Sequence, residues 1–146
     1  MTEQNTNTNQ SDRPAPTVWP TLQAHDAPAL IDFLVGLGFH KTAVYADGDQ
    51  VAHAQLDWPE GGGIMLGSYQ PGEPDAPNPW SREPGTAGAY VVTADPDALY
   101  AEVQASGATI VRELQNEDYG NREFVIADPE GNLWSFGTYR GEPPQR

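Results

Sequence analysis

The residues that could carry acid–base chemistry are few in this sequence, and three of them lie on predicted strands. Alternation along a strand places the side chains of His53, Asp57 and Glu123 on the same face of a sheet. A histidine beside carboxylates can titrate near neutral pH and relay protons. The pattern indicates either a catalytic cluster, with His53 and Glu123 as candidates, or hydrogen-bonded sheet residues without a catalytic role.

Other kinds of reactive site have little support in the sequence. The chain has no cysteine, which excludes disulfides and thiolate metal sites. His25 and His40 flank a predicted helix and are expected at the surface, so the three histidines form no metal-binding pattern. The glycine run at 61–63 lacks the helix and lysine that follow a phosphate-binding loop.

Aromatic residues outside the predicted core favour a ligand-binding role. Trp19, Trp58, Trp80 and Tyr119 are not required by a helix–sheet core, and Trp80 and Tyr119 lie in segments that could cover a ligand. Flat rings stack on planar ligands, and an acidic surrounding would add a preference for a cationic group. Ordinary packing of each ring is the alternative interpretation.

Two halves that repeat each other must position these residues. The segment Trp58–Tyr69 (WPEGGGIMLGSY) returns in the second half as Asp128–Tyr139 (DPEGNLWSFGTY). Likewise Asp26–Gly38 (DAPALIDFLVGLG) is matched by Asp95–Gly107 (DPDALYAEVQASG), with a register one residue shorter. Two copies in the same order indicate a duplicated module and not a solenoid.

Each half has the pattern of one strand, one helix and three further strands. The helices can be capped by Asp26 and Asp95 and can end at Gly38 and Gly107. The segment Gln70–Pro84 contains five prolines, so we predict a connector there. The sequence thus predicts an α+β protein in which two tandem βαβββ modules form a curved mixed sheet around a cleft, with the helices on the outer face. The predicted strands are Val18–Ala24, Phe39–Ala46, Gln50–Asp57, Gly63–Tyr69, Gly88–Ala94, Thr109–Leu114, Arg122–Ala127 and Leu133–Tyr139.

The predicted domain bounds follow from this pattern. We expect a disordered tail at 1–16, a single domain at 17–140 and a short tail at 141–146. Within the domain, the modules span about 17–69 and 86–140, and the connector spans 70–85.

Alternation along the strands assigns the side chains to two faces. Bulky apolar residues are predicted to pack under the helices: Ala54, Leu56, Ile64, Leu66, Phe124, Ile126, Trp134 and Phe136. The opposite face is polar, and it meets solvent or lines a cleft. On the first strands of the modules, Trp19, Thr21, Gln23, Ala89, Val91 and Thr93 are assigned to this polar face. Together with the loop aromatics, the predicted ligand-binding residues are Trp19, Gln23, His53, Gln55, Met65, Trp80, Ala89, Tyr119, Glu123 and Ser135.

The paired modules and the segment 127–134 (ADPEGNLW) resemble those of the glyoxalase, bleomycin-resistance and extradiol-dioxygenase superfamily, also called vicinal oxygen chelate proteins. The likeness covers about residues 18–139. Metal-dependent members bind a divalent ion through four strand positions, usually His and Glu, which fall here on Trp19, Met65, Ala89 and Ser135. None of these side chains offers a carboxylate or an imidazole. We therefore predict no metal site and no cofactor.

The net charge of −14 argues against nucleic acid as a partner, because phosphate binding depends on clustered Lys and Arg. An acidic surface favours cationic ligands or simply keeps the protein soluble. The sequence shows neither an export signal nor an apolar run long enough for a membrane span. We therefore expect no membrane partner and a cytoplasmic location.

These observations predict a non-metal protein that sequesters a planar aromatic small molecule, with or without a cationic group, such as an antibiotic. The alternative is a lyase, isomerase or dioxygenase-like enzyme that uses His53 and Glu123 or a divalent metal at a site not recognised in the sequence. A third alternative is a stress-associated domain with a ligand unrelated to drugs. By family analogy we expect a homodimer, whose cleft is closed either within one chain or across two.

Overall fold

The computed structural model describes residues 15–144, and its elements follow the predicted order. The predicted tail at 1–16 lies almost entirely outside the described residues, as do the last two residues of the predicted tail at 141–146. Within the described range the helices are α1 (Ala27–Leu37) and α2 (Pro96–Ala105). The strands are β1 (Thr21–Ala24), β2 (His40–Asp47), β3 (Gln50–Asp57), β4 (Gly63–Ser68), β5 (Gly72–Glu73), β6 (Ala76–Pro77), β7 (Gly88–Val92), β8 (Thr109–Asn116), β9 (Arg122–Ala127) and β10 (Leu133–Gly137).

Both helices begin as their sequences predict. The side chain of Asp26 accepts a hydrogen bond from the backbone N–H of Ala29 at 3.1 Å, and Asp95 accepts one from Ala98 at 3.1 Å. These bonds satisfy N–H groups that lack a partner in the first turn of a helix. At the other end of α1, Gly38 adopts φ of 118°, a left-handed conformation that costs glycine little.

The strands form two four-stranded sheets of identical topology. Their orders are β1-β4-β3-β2 and β7-β10-β9-β8, and in each the first strand runs parallel to the last strand of its module. The α+β class and the paired βαβββ modules are therefore confirmed. The curved sheet that we predicted consists of two separately hydrogen-bonded halves, since no strand of one half pairs with the other within residues 15–144.

One apolar core lies under both helices and joins the modules. The largest fully buried side chains include Trp134, Phe124 and Phe136, which lie where the alternation placed them. Across the module boundary the ring of Phe39 lies 5.6 Å from that of Trp134, and the ring of Trp58 lies 5.8 Å from that of Phe136. Such aromatic pairs add about 0.5–1.5 kcal/mol each to the effect of burying their area. Aromatic packing therefore fixes how the modules meet.

The prediction for the first strand of the second module was wrong by one residue. Ala89 lies beside Trp134 and Val91 beside Phe136 in the parallel pairing of β7 with β10, so both side chains face the core. Thr93, also assigned to the polar face, is buried. Tyr90, which lies beside Ser135, takes the polar position instead. The stretch Gly88–Val92 shows no alternation of polar and apolar residues, so local pattern could not fix its register.

The remaining differences are small. The first predicted strand begins at Thr21 and not at Val18, and β8 extends to Asn116. The connector holds a short hairpin, β5 with β6, which the proline count did not predict. Below, the first polar face means the side of the first sheet that carries Gln23, His53 and Met65. The second polar face means the side of the second sheet that carries Tyr90, Glu123 and Ser135.

Candidate functional site

Two glutamates from the repeated Pro-Glu-Gly turns connect the modules reciprocally. Glu130 of the second module accepts hydrogen bonds from the backbone N–H groups of His25 and Asp26 at 2.9 and 2.8 Å. Glu60 of the first module accepts one from Ala94 at 3.0 Å. Each carboxylate therefore binds the chain just before the other module's helix. These contacts set the position of one polar face relative to the other.

A small cavity lies on the first polar face, beneath the connector. It encloses about 200 Å³, and its walls include four of the predicted ligand-binding residues, Gln23, His53, Met65 and Trp80. The amide of Gln23 holds the connector in place, because it donates to the carbonyl oxygen of Trp80 at 3.0 Å and accepts from the N–H of Arg82 at 3.1 Å. Trp80 itself remains 69% exposed. The connector thus presents an exposed indole at the rim of this cavity.

The predicted acid–base cluster is not assembled. His53 stacks on Tyr45 with ring centroids 6.0 Å apart, and Asp57 is bound by Thr42 and by the amide of Gln55. Glu123 lies on the other sheet with its own partners. Within residues 15–144 no hydrogen bond or ion pair joins His53 to either carboxylate. His25 and His40 are exposed, as predicted.

Two further predicted residues do not line this cavity. The indole N–H of Trp19 donates to the carbonyl oxygen of Pro16 at 3.2 Å, and the ring covers Gly63. Gln55 lies beside Met65 in the sheet but donates to Asp57 at 3.2 Å. Both residues are partly exposed.

The second polar face is built around the carboxylate of Glu123. This side chain is buried, accepts a hydrogen bond from the hydroxyl of Ser135 at 2.6 Å and accepts a longer one from the phenol of Tyr119 at 3.3 Å. The three residues were predicted as ligand-binding, and the structure brings them together. None of them lines the cavity on the first polar face.

Sequence reasoning missed the residues that complete this second group. The phenol of Tyr90 donates to the carbonyl oxygen of Tyr139 at 2.7 Å and lies 3.3 Å from the amide oxygen of Asn121. Asn121 is buried, and it donates to the phenol oxygen of Tyr119 at 3.1 Å. Gly137 makes room for this arrangement, since a Cβ there would lie 2.8 Å from the Tyr90 hydroxyl.

Three tyrosines line an open aromatic pocket, and one of them, Tyr119, is hydrogen-bonded to Glu123. A cavity of about 580 Å³ is lined by Tyr90, Tyr119, Tyr139 and Glu142. The rings of Tyr119 and Tyr139 meet edge to face, with centroids 5.7 Å apart. Tyr119 is 60% exposed although it lies at the wall of a cavity. The pocket thus offers ring faces to a ligand.

Two carboxylates, those of Glu123 and Glu142, contact the tyrosines of this pocket. Partial burial raises the pKa of Tyr90 above its ordinary value, and the charge of Glu123 raises it further. Burial and a hydrogen bond to Glu142 likewise raise the pKa of Tyr139. Both phenols therefore stay protonated at neutral pH and can donate hydrogen bonds. An anionic ligand would be disfavoured here.

The nearby arginines are engaged by other acidic side chains. Arg112 contacts Glu117 at 2.5 Å, Arg122 binds Asp97 at 2.8 Å, and Arg140 reaches Glu60 at 3.3 Å. Within residues 15–144 no cationic side chain forms an ion pair with Glu123. Its partners there are hydroxyl groups.

Ala89, the last of the predicted site residues, lines a different cavity. This cavity of about 320 Å³ lies between the modules, and its walls include Trp58, Ile64, Trp134 and Arg140. Because Ala89 faces the core side of its sheet, it does not reach the second polar face.

The divalent ion implied by the resemblance does not fit these side chains. At the centre of the first module the polar positions are occupied by Thr21 and Met65, which lie side by side in the sheet. In the second module they are occupied by Tyr90 and Ser135. These side chains offer hydroxyls, a phenol and a thioether, whereas a hard cation requires several carboxylate or imidazole ligands. No group of three or more His, Cys, Asp or Glu in the described range could hold a metal ion.

Helix length gives one further structural finding. Among the described residues, neither helix is long and apolar enough to cross a membrane.

Comparison with known proteins assigns the fold to a family. The family model of the Glyoxalase/Bleomycin resistance protein/Dioxygenase superfamily matches residues 17–136. An uncharacterized protein of Mycobacterium tuberculosis (strain H37Rv) is 31% identical over 138 residues, which cover 88% of this chain and 79% of that protein. The chain therefore belongs to this superfamily.

Solved structures share the fold. TioX from Micromonospora sp. ML1 superimposes with a TM-score of 0.70 at 28% identity, over 85% of this chain and 98% of TioX. TnmS3 from Streptomyces sp. CB03234 superimposes with a TM-score of 0.61 at 22% identity, over 86% of this chain and 98% of TnmS3. A bleomycin-binding protein in complex with bleomycin superimposes with a TM-score of 0.57 at 16% identity. The match covers 86% of this chain and 100% of that protein.

Proposed function

We propose that this member of the glyoxalase, bleomycin-resistance and dioxygenase superfamily sequesters a planar aromatic small molecule, such as an antibiotic, without converting it. Two proteins of the same fold support the proposal, since TnmS3 is described as an antibiotic binding protein and the bleomycin-binding protein holds bleomycin. The fold alone does not determine the ligand. The two polar faces of this chain therefore carry the proposal.

The observation that carries the proposal is an exposed aromatic ring at the rim of a cavity on each polar face. Trp80 is 69% exposed above the first cavity, and Tyr119 is 60% exposed beside the second. A large exposed ring that is anchored by hydrogen bonds leaves apolar area in water until a partner covers it. Gln23 anchors the connector below Trp80, and Asn121 donates to Tyr119. A planar ligand would cover either ring.

The arrangement gives less support to the enzymatic alternative. A general base must lie within hydrogen-bond reach of the proton that it removes, and a catalytic pair must share one site. His53 and Glu123 are on different sheets. Glu123 accepts from two hydroxyl groups, which favours a structural or electrostatic role.

The proposal includes a homodimer in the cytoplasm. β2 and β8 are edge strands of eight residues that are exposed over most of their length. Three large apolar side chains on these strands are exposed, those of Val44, Tyr45 and Val111. Unpaired edges of this length are usually covered in natural proteins, which supports a second copy as the cover. The absence of cysteine from the sequence fits the cytoplasm.

A fluorescence titration tests the proposed binding. We expect planar aromatic antibiotics to change tryptophan emission and to give saturable heat in calorimetry. Trp80→Ala or Tyr119→Ala, whichever ring covers the ligand, should weaken binding about three- to tenfold through loss of stacking. Val35→Ala, which trims an exposed side chain on α1, is the matched control. A full panel without any binding would refute the proposal.

Chemical recovery of the ligand separates sequestration from catalysis. After long incubation the bound compound should be recovered with unchanged mass. A product that accumulates beyond one equivalent of protein would favour the enzymatic alternative.

A further inference from the structure

We propose that the second polar face contains a cation-binding subsite, in which an ammonium or guanidinium group of an aromatic ligand lies among Tyr90, Tyr119 and Tyr139 in front of Glu123. The inference rests on the proposed function and deepens it, because it states which part of the ligand is recognised and where. It is carried by the geometry around a buried carboxylate.

The carboxylate of Glu123 lacks an opposite charge among the described residues. This residue is 8% exposed, and its two hydrogen bonds come from Ser135 and Tyr119, which are neutral donors. Within residues 15–144 no arginine, lysine or histidine forms an ion pair with it. A buried charge without an opposite charge is costly, so natural proteins usually pair such groups. A cationic ligand would supply the missing charge.

The carboxylate of Glu123 has acceptor positions that its two hydrogen bonds leave open. An ionised carboxylate has about four acceptor positions, and Glu123 uses two of them. The bond from Tyr119 is long, at 3.3 Å, and Tyr119 lies in the turn between β8 and β9 with 60% of its surface exposed. A cation that replaced this long bond would leave the Tyr119 phenol its hydrogen bond from Asn121. The bond from Ser135, at 2.6 Å, keeps the carboxylate oriented.

Aromatic rings form most of the wall of the proposed subsite. Three phenol rings line the cavity of about 580 Å³, and the face of an aromatic ring attracts a cation within about 6 Å of its centre. Glu142 lies at the mouth and accepts a hydrogen bond from Tyr139 at 3.2 Å, which adds a second negative charge. Rings on several sides, with one carboxylate hydrogen-bonded to Tyr139 and another to Tyr119, match a compact organic cation. A metal ion would require more oxygen ligands than this pocket has.

The first polar face lacks this combination. There the position equivalent to Glu123 is His53, which stacks on Tyr45. The subsite therefore belongs to the second module alone, and a ligand that carries both a cation and a planar ring would be oriented by it.

A matched pair of small probes tests the subsite. (4-Hydroxyphenyl)trimethylammonium and 4-tert-butylphenol have nearly the same shape and differ in charge. We expect the wild-type protein to bind the ammonium probe at least about tenfold more tightly, measured by calorimetry and by chemical shifts of Asn121 and Gly137. Equal affinities, or no binding of either probe at millimolar concentration, would overturn the inference.

Variants assign the selectivity to named side chains. Glu123→Gln keeps the shape of the side chain and should lower the selectivity about tenfold, with the affinity of the neutral probe unchanged. Glu113→Gln makes the same charge change at an exposed position of β8 and should leave selectivity intact. Unchanged selectivity in Glu123→Gln contradicts the proposal.

A second pair of variants covers the case in which Glu123→Gln does not fold. Tyr119→Phe keeps the ring and should keep the selectivity, whereas Tyr119→Leu should reduce it several-fold. Equal selectivity in the two variants would contradict a role of the Tyr119 ring in binding the cation. If antibiotics bind but the probes show no selectivity, this subsite fails and the proposed function stands. If the protein selects the ammonium probe but binds no antibiotic, the proposed function fails and the subsite stands.

Discussion

The turn before the last strand has the same backbone hydrogen bonds in both modules and different chemistry at its first residue. Trp58 accepts a hydrogen bond from Gly61 at 2.9 Å and donates to Gly62 at 2.9 Å, and Asp128 makes the equivalent bonds with Gly131 and Asn132. In the first module the indole of Trp58 packs on Phe39. In the second, the buried carboxylate of Asp128 accepts four further hydrogen bonds. One turn is held by an aromatic ring and the other by a polar network.

The polar faces differ in the same way. His53 and Glu123 occupy equivalent positions of the repeat, yet one stacks on a tyrosine and the other accepts bonds from two hydroxyls. The connector covers the first face through Gln23, whereas the second face is left open to a group of tyrosines. Duplication preserved the hydrogen bonds of the backbone and the glutamates of the turns. Positions that the backbone does not use were free to diverge.

The largest expected effect in this comparison follows from removing Asp128. Its carboxylate accepts from the backbone of Glu130 and Asn132, the amide of Asn132 and the indole of Trp134, at 2.8–3.0 Å. Asp128→Ala would leave several buried donors without partners, so we expect a loss of about 3–5 kcal/mol in unfolding free energy. Urea denaturation measures it.

The control for this prediction is Asp118→Ala, which removes an exposed carboxylate and should cost less than about 0.5 kcal/mol. A loss below about 1 kcal/mol in Asp128→Ala would show that water replaces the network and that the second turn does not depend on it.

A smaller difference should separate the two glutamates that connect the modules. Glu130 accepts two backbone hydrogen bonds, whereas Glu60 accepts one and contacts a largely exposed arginine. We expect Glu130→Ala to lower the unfolding free energy by about 2 kcal/mol and Glu60→Ala by about 1 kcal/mol. Chemical denaturation of both variants tests the order, and an equal or reversed order would show that the number of backbone hydrogen bonds does not determine what each glutamate contributes.

Much of the fold could be predicted because its determinants are local. Asp26, Asp95 and Gly38 act through bonds within a few residues, so their roles can be read from their neighbours in sequence. The register of β7 was mispredicted although a signal existed. Along the chain, the two helix copies are separated by one residue fewer than the two turn copies are. Aligned by the helix copies, Tyr90 is equivalent to Thr21 and Ala89 to Pro20. Applying this alignment to β7 would have placed Tyr90 on the polar face.

The candidate site was less predictable because its contacts join distant parts of the chain. Gln23 holds Trp80 and Arg82 across more than fifty residues, and Tyr90 meets Tyr139 across almost as many. No local pattern encodes such pairs. The pairing of His53 with Glu123 failed for a simpler reason. Equivalent positions of a duplicated module lie on different sheets, so they share a face only by symmetry and not by contact.

The smallest expected effect distinguishes the modules by pH. Tyr90 has a pKa above its ordinary value, chiefly through burial and also through Glu123, while the equivalent residue of the first module is Thr21, which does not titrate. A raised pKa in the folded state stabilises the protein below the unfolded value, near pH 10, and this contribution is lost as the pH rises through the folded value. Tyr90→Phe should cost less than about 1 kcal/mol at neutral pH.

Thermal unfolding midpoints between pH 7 and about pH 11 provide the measurement. Above about pH 10 the wild type should lose stability faster than Tyr90→Phe does. The gap between their unfolding midpoints should therefore narrow at high pH. Tyr45→Phe removes an exposed phenol from the first module and serves as the control. A gap that stays constant across this range would mean that the phenol of Tyr90 ionises as freely in the folded protein as in the unfolded chain. The negative charge of Glu123 would then act too weakly on the second polar face to distinguish it from the first.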